Sequence, residues 1–256
     1  MPKYAAKLEY DGTQYVGYQV QPNGPSVQAA IEKALITMAK LPKDQTIPTS
    51  SSGRTDAGVH ALGQVIHFDY PFEIPPYAFR KAMNSLLDPS IRINQVVQVS
   101  DEFHCRYHAI SKEYLYRVDL NDYPNPFKRL YTLHHPYRID IERMQTAIQS
   151  ILGEHDFTSF CSTKTDKTDL VRTIYQADVT LDKSNNELHF YFKGNGFLYN
   201  MVRILVGTLL QIGNGLKPVD ELERLLQVKD RQEAGPTAPP QGLYMLRVNY
   251  ENDPFE

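Results

Sequence analysis

Tryptophan is absent from this 256-residue chain, cysteine occurs only twice, and no excess of positive charge is present. Two cysteines, Cys105 and Cys161, do not suggest a disulfide-framed fold or a CxxC metal clip. With no Trp, the filling of the core and any stacking on unpaired bases fall to seventeen Tyr and eleven Phe. The balance of 27 Lys/Arg against 30 Asp/Glu lacks the basic footprint usual in a nucleic-acid binder. The acidic excess is local: residues 218–256 hold four Lys/Arg against eight Asp/Glu, whereas 106–217 hold fourteen against twelve. Long hydrophobic runs are missing too. The longest, 197–212, is too short to span a bilayer and contains Asn200 and Arg203. The opening MPKYAAKLEY has no signal-peptide core, so a cytoplasmic, reducing location is expected.

What is present reads as alternating strands and helices. Tyr4, Ala6, Leu8 and Tyr10 share one face of a strand over 3–10. Ser26 is placed to cap a helix carrying Val27, Ala30, Ile31, Ala34, Leu35 and Met38. Further strands are predicted over 64–70, 91–99, 112–120, 171–181, 187–193 and 243–250, with Ser184-Asn185-Asn186 as a hairpin turn. Further helices are predicted from Pro76 to Leu87, from Asp140 to Leu152, over 197–212 and over 219–227, with 235–242 as an ordered loop. The expected fold class is α+β, in two halves with largely antiparallel sheets: 1–105, holding the 50–60 loop, and 106–256.

The segment Ser50 to His60 concentrates chemistry. Arg54, Asp56 and His60 stand among Gly53, Ala57 and Gly58, small residues that let the backbone approach a bulky partner. Such a loop can present a carboxylate to a large substrate, or it can be a tight turn whose Asp caps local amides. Composition alone leaves both readings open.

Gly53 to Ala61, GRTDAGVHA, resembles the signature of the TruA-type tRNA pseudouridine synthases. Three further segments resemble the same family in its order: Ser111-Lys112-Glu113-Tyr114-Leu115-Tyr116, Asn195 to Arg203, and Ala238 to Tyr244. Tyr10-Asp11-Gly12-Thr13 and Ser26-Val27-Gln28 also fit, so the likeness covers nearly the whole chain. The resemblance implies conversion of uridine to pseudouridine at positions 38, 39 and 40 of the tRNA anticodon stem-loop. It also implies related, ferredoxin-like α+β halves flanking a central active-site cleft, a homodimer, and no metal or organic cofactor.

In that chemistry the C1′–N1 bond breaks, the uracil turns, and a C1′–C5 bond forms, with no change of redox state. The carboxylate, assigned to Asp56, suits attack at C1′, attack at C6, or assistance to loss of a C2′ proton. Arg203 lies in a helix apolar on nearly every side, where an unpaired guanidinium is costly. Pairing with Asp56 would resolve that cost and hold the acid ionised; snorkelling to the surface or another acid would also satisfy the arginine. Tyr114 is assigned to stacking on the uracil and to late proton transfer, with one more core tyrosine as the plain alternative. Leu243 is expected to wall the base pocket. Arg54 is expected to contact phosphate or fill the gap left by an extruded nucleotide, and His60 to face the base or serve the loop. Lys81, Arg106, Lys128, Arg129, Lys164, Lys167 and Arg172 are candidate phosphate contacts. His104, Cys105 and His108 lie close in sequence and His134 adjoins His135, but no second ligand pair has zinc-site spacing, so no metal is expected. A Mg²⁺-dependent carboxylate hydrolase or phosphotransferase would want further acids near Asp56, and 54–57 has none. A noncatalytic RNA-binding protein would explain the aromatics but not an Asp placed to meet phosphate.

Overall fold

The structure is a computed structural model that describes residues 1–42, 44–162 and 169–256. In chain order its elements are β1 (Lys3–Tyr10), α1 (Val27–Ala39), β2 (Ser50–Ser51), β3 (His60–Asp69), α2 (Pro76–Leu86) and β4 (Ile91–Val99). They continue with β5 (Ala109–Asp119), β6 (Leu133–His134), α3 (Ile141–Ile148), β7 (Gly153–Asp156) and β8 (Val171–Asp182). The chain closes with β9 (Glu187–Gly194), α4 (Met201–Gly213), α5 (Glu221–Val228) and β10 (Leu243–Tyr250). The fold is α+β. No described helix is long and apolar enough to cross a membrane.

Two compact units divide the chain: 1–110 with 244–256, and 111–243. This differs from the expected halves of 1–105 and 106–256, because the last strand returns to the first unit. There β10 pairs parallel with β3, Tyr244 opposite His60 and Met245 opposite Ala61. Tyr250 donates its hydroxyl hydrogen to the Cys105 carbonyl at 2.7 Å, and Gln95 donates to the Phe255 carbonyl at 2.8 Å. Pairing of strands so distant in sequence has no local signature.

In the first unit the strand order is β4–β1–β3–β10, with β2 also on β3; only the β3–β10 pair is parallel. The Ser26 hydroxyl accepts the Ala29 N–H at 3.3 Å and starts α1, whose Val27, Ile31, Ala34 and Leu35 are buried. α2 is docked on β4 by Asn84, which both donates to and accepts from the Ile93 backbone at 2.8 Å. Tyr4, Phe68, Tyr70 and Phe79 fill the core, the Tyr4 and Phe79 rings 4.9 Å apart.

The second unit has an antiparallel sheet in the order β5–β9–β8–β7, with β6 parallel to β5. The predicted hairpin joins β8 to β9, with Asn186 at φ 51° and the Asp182 carboxylate accepting the Ser184 N–H at 3.0 Å. Nearly every residue of α4 is buried. That helix begins at Met201 rather than at 197, because Asn200 takes a left-handed φ of 61° that a helix cannot propagate through.

At the start of β9 the carboxylate of Glu187, fully buried, receives Arg117 Nε at 2.8 Å, Arg117 Nη2 at 3.0 Å and Lys128 Nζ at 2.8 Å. Burial pushes the Glu187 pKa up, but hydrogen bonds from Lys128, His189 and Arg117 outweigh it and leave the group below its ordinary 4.5. A carboxyl depressed on folding stabilises above its unfolded pKa, and that contribution is lost as pH falls through the folded value. Glu187→Gln is expected to cost roughly 2–3 kcal/mol at neutral pH, because Arg117 and Lys128 lose their counter-charge and one of two acceptor oxygens. The variant's melting temperature should fall less steeply than wild type between pH 5 and pH 3. Parallel acid profiles in thermal melts would show that Glu187 does not carry this dependence.

Candidate active site

The loop from Ser52 to His60 contains no large apolar side chain except Val59, so its shape comes from polar anchors. At its start, Gln64 on β3 is fully buried. Its Oε1 accepts from Ser52 Oγ at 2.6 Å and from the Val65 N–H at 3.2 Å, and its Nε2 donates to the Gly53 carbonyl at 2.7 Å. Next, Thr55 Oγ1 shares a buried 2.7 Å hydrogen bond with the Tyr10 hydroxyl. Burial raises the Tyr10 pKa to about 12 against the lowering effect of its bonds to Thr55 and Gln64, so that phenol stays neutral.

Asp56 itself is half-buried and forms a β-bridge with Gly17. Tyr18 N–H donates to the Thr55 carbonyl at 3.1 Å, Val59 N–H to the Asp56 carbonyl at 3.1 Å, and Gly58 N–H to the Tyr15 carbonyl at 3.2 Å. Gly17 has φ +123°, and a Cβ there would stand 2.9 Å from the Thr55 carbonyl oxygen. Only glycine allows the backbone at 17 to pass so close to the main chain of 55–57. Arg54 and Ala57, on either side, are exposed.

At the loop's end His60 is buried, its ring stacked on Tyr244 at 4.8 Å. Its Nδ1 accepts the Gly12 N–H at 3.1 Å, which fits the tautomer protonated on Nε2. Asp11 Oδ1 lies 3.2 Å from the same nitrogen, but that oxygen already accepts from Thr13 N at 3.0 Å and Thr13 Oγ1 at 2.5 Å. The Gly12 bond is therefore the better description of the contact than an ion pair.

The second unit holds the other candidates. Tyr114, on β5 opposite Phe192, is buried with its ring edge-on to Phe197 at 4.9 Å. Arg203, in the first turn of α4, donates from Nε to the Ala238 carbonyl at 2.7 Å and from Nη1 to Asn200 Oδ1 at 2.8 Å, while its own carbonyl accepts the Ala238 N–H at 3.0 Å. The Tyr116 hydroxyl donates to the Pro239 carbonyl at 2.7 Å. Arg203 and Tyr116 together fix the segment that ends at Leu243, itself buried.

A family model described as tRNA pseudouridine synthase matches residues 5–108 and 147–251. The chain belongs to that family. It is 51% identical to the tRNA pseudouridine synthase A of Latilactobacillus sakei subsp. sakei (strain 23K) over 97% of this chain and 99% of that one. It is 52% identical to the protein of the same name from Lacticaseibacillus casei (strain BL23), over 98% and 100%. With that of Geobacillus sp. (strain WCH70) it shares 49% identity over 96% and 97%.

For a tRNA pseudouridine synthase, the candidate phosphate contacts divide. Lys81, Arg106 and Arg129 are exposed. Arg172 is folded back onto its own segment, donating to the Val171 and Asp169 carbonyls. Lys128 is taken up by Glu187 and by the Asn185 carbonyl at 2.8 Å, which gives it a structural task instead. Lys164 and Lys167 lie outside the described residues.

Sequence reasoning missed Tyr10, Gln64 and Gly17, which the fold brings to the loop; Gln64, four residues beyond His60, was the one within reach of the motif. It also missed that His67 joins His104 and Cys105, with ligand-type atoms within 4.8 Å of one another. In this group His67 Nδ1 accepts the Cys105 N–H at 3.3 Å, and His104 Nδ1 accepts the N–H of Arg106 and Tyr107 at 3.2 and 3.3 Å. Burial, and then the neighbouring His104, lower the His67 pKa to about 4, so its ring is neutral near pH 7.

Proposed function

We propose that this protein isomerises uridine to pseudouridine at positions 38, 39 and 40 of the tRNA anticodon stem-loop, as a cytoplasmic homodimer that needs neither metal nor organic cofactor. The observation that carries the proposal is the Asp56 loop: within the stretches 5–108 and 147–251 that the family model matches, it presents a half-buried acid on a backbone anchored before it at Gly53 and Thr55 and after it at His60.

In this reading the Asp56 carboxylate acts on the everted uridine, covalently or by stabilising positive character at C1′. Arg203 supplies the guanidinium that keeps the acid ionised in a site closed to water. Tyr114 stacks on the uracil and moves a proton late in the reaction, and Leu243 bounds the base. The exposure of Arg54 supports a contact with RNA. The burial of His60 supports a role in fixing the loop's end instead of one at the base. Tyr123 and Phe127, 85% and 89% exposed, supply apolar surface of the kind a subunit contact uses.

Unmodified tRNA incubated with the purified protein and a chelator, followed by nucleoside analysis and site mapping, tests the proposal. Pseudouridine should form at the three stem-loop positions wherever uridine stands there. Bound but unaltered tRNA would reassign the protein to RNA binding, and a strict requirement for a divalent cation would favour hydrolytic or phosphoryl chemistry.

A further inference from the structure

We infer that Tyr10 and Gln64 are positioning residues that set the Asp56 carboxylate against the substrate, and that the rate of isomerisation depends on the hydrogen bonds they make to Thr55 and Gly53. The inference rests on Asp56 being the catalytic acid.

A reacting group must be held to about half an ångström, and a 1 Å displacement can cost about 10²-fold in rate. The sequence around Asp56 works against such precision. Gly53, Ala57 and Gly58 offer almost no side-chain packing, and Arg54 and Ala57 are exposed. Rigidity has to come from outside the loop. Gln64 holds the Gly53 carbonyl, three residues before the acid, at 2.7 Å. Tyr10 holds the Thr55 hydroxyl, one residue before it, at 2.7 Å. Both anchors stand on adjacent strands of one sheet, β1 and β3, and Tyr10, Thr55 and Gln64 are all buried.

The Gln64 amide is oriented by its surroundings. Its oxygen faces two donors, Ser52 Oγ and the Val65 N–H, so its NH₂ group must face the Gly53 carbonyl. If either anchor is deleted, the buried Thr55 hydroxyl or the part-buried Gly53 carbonyl loses its partner. The loop can then recover a hydrogen bond only by relaxing toward water, carrying Asp56 with it. The C-terminal side of the loop is fixed separately, by the Gly12 bond to His60 and the stacking of His60 on Tyr244. Loss of an N-terminal anchor therefore shifts the loop without unfolding the sheet.

Tyr10→Phe keeps the ring and removes only the hydroxyl, and Gln64→Met keeps the volume and removes the amide. Each is expected to lower kcat by about 10²-fold, with KM for tRNA within about twofold of wild type, since the RNA-contacting surface is untouched. Thr55→Val attacks the Tyr10 bond from its other end. The Tyr10→Phe/Thr55→Val double variant should be no slower than the slower single variant, because both remove the same interaction. A purely structural role would lower the melting temperature and the folded fraction while leaving the rate per folded molecule unchanged. That result, or wild-type kcat in both Tyr10→Phe and Gln64→Met beside an inactive Asp56→Asn, would overturn the inference and leave the role of Asp56 standing. Near-normal turnover by Asp56→Asn would remove the premise instead.

Discussion

Asp56→Asn is expected to abolish pseudouridine formation, lowering the rate by about 10⁴-fold or more, while tRNA binding stays within a few-fold of wild type. The amide has the shape of the carboxylate but neither its charge nor its nucleophilicity, so the reacting step proposed for Asp56 loses its acting group. The main-chain contacts that shape the loop survive the change. The Asp56 carbonyl still accepts the Val59 N–H, and its β-bridge to Gly17 is a backbone interaction. Removal of one negative charge beside an RNA backbone should, if anything, tighten binding. Single-turnover nucleoside analysis and filter binding on the same preparation separate the two effects. Turnover close to the wild-type rate would remove Asp56 from the chemistry.

Gly207→Ala is expected to be the most destabilising single-methyl change in the second unit. A Cβ at Gly207 would lie 1.8 Å from the Pro236 carbonyl oxygen and 3.0 Å from its carbon, and both atoms are main chain that cannot swing aside. α4 is buried along nearly its whole length, so either the helix or the 235–238 segment must move. That movement strains the bond from the Gly235 N–H to Thr208 Oγ1 at 3.0 Å and the paired contacts between Arg203 and Ala238. Alanine's better helix propensity returns about 1 kcal/mol. Overpacking against fixed backbone should exceed it, for a net loss of roughly 2–3 kcal/mol. Thermal melts should show a melting temperature lower by about 10 °C. Activity should fall with it, since the displaced segment leads to Leu243, the proposed wall of the base pocket, and anchors Arg203. An unchanged melting temperature would mean that the helix and the segment do not meet so closely.

Several features were readable because their causes are local. Ser26 caps α1, Asp140 caps α3 by accepting the Arg143 N–H at 3.1 Å, and the hairpin turns at 184–186. Each follows from residues within a few positions of one another. The start of α4 was misread because the apolar run begins at Phe197 while the backbone is still irregular through Asn200. Lys128 was read as a candidate phosphate contact because its acceptor, Glu187, lies at the start of β9, almost sixty residues away.

The sequence by itself determined the α+β class, most of the elements and the loop that carries Asp56, because periodicity, caps and a compact run of unusual residues are written over short stretches. Only the tertiary structure decided that β10 joins the first unit, that Tyr10 and Gln64 reach the loop, and that Arg203 holds the segment leading to Leu243. Those pairings are set by which buried polar groups must find partners once the chain has collapsed. That demand depends on residues far apart in sequence and leaves no pattern in any one of them.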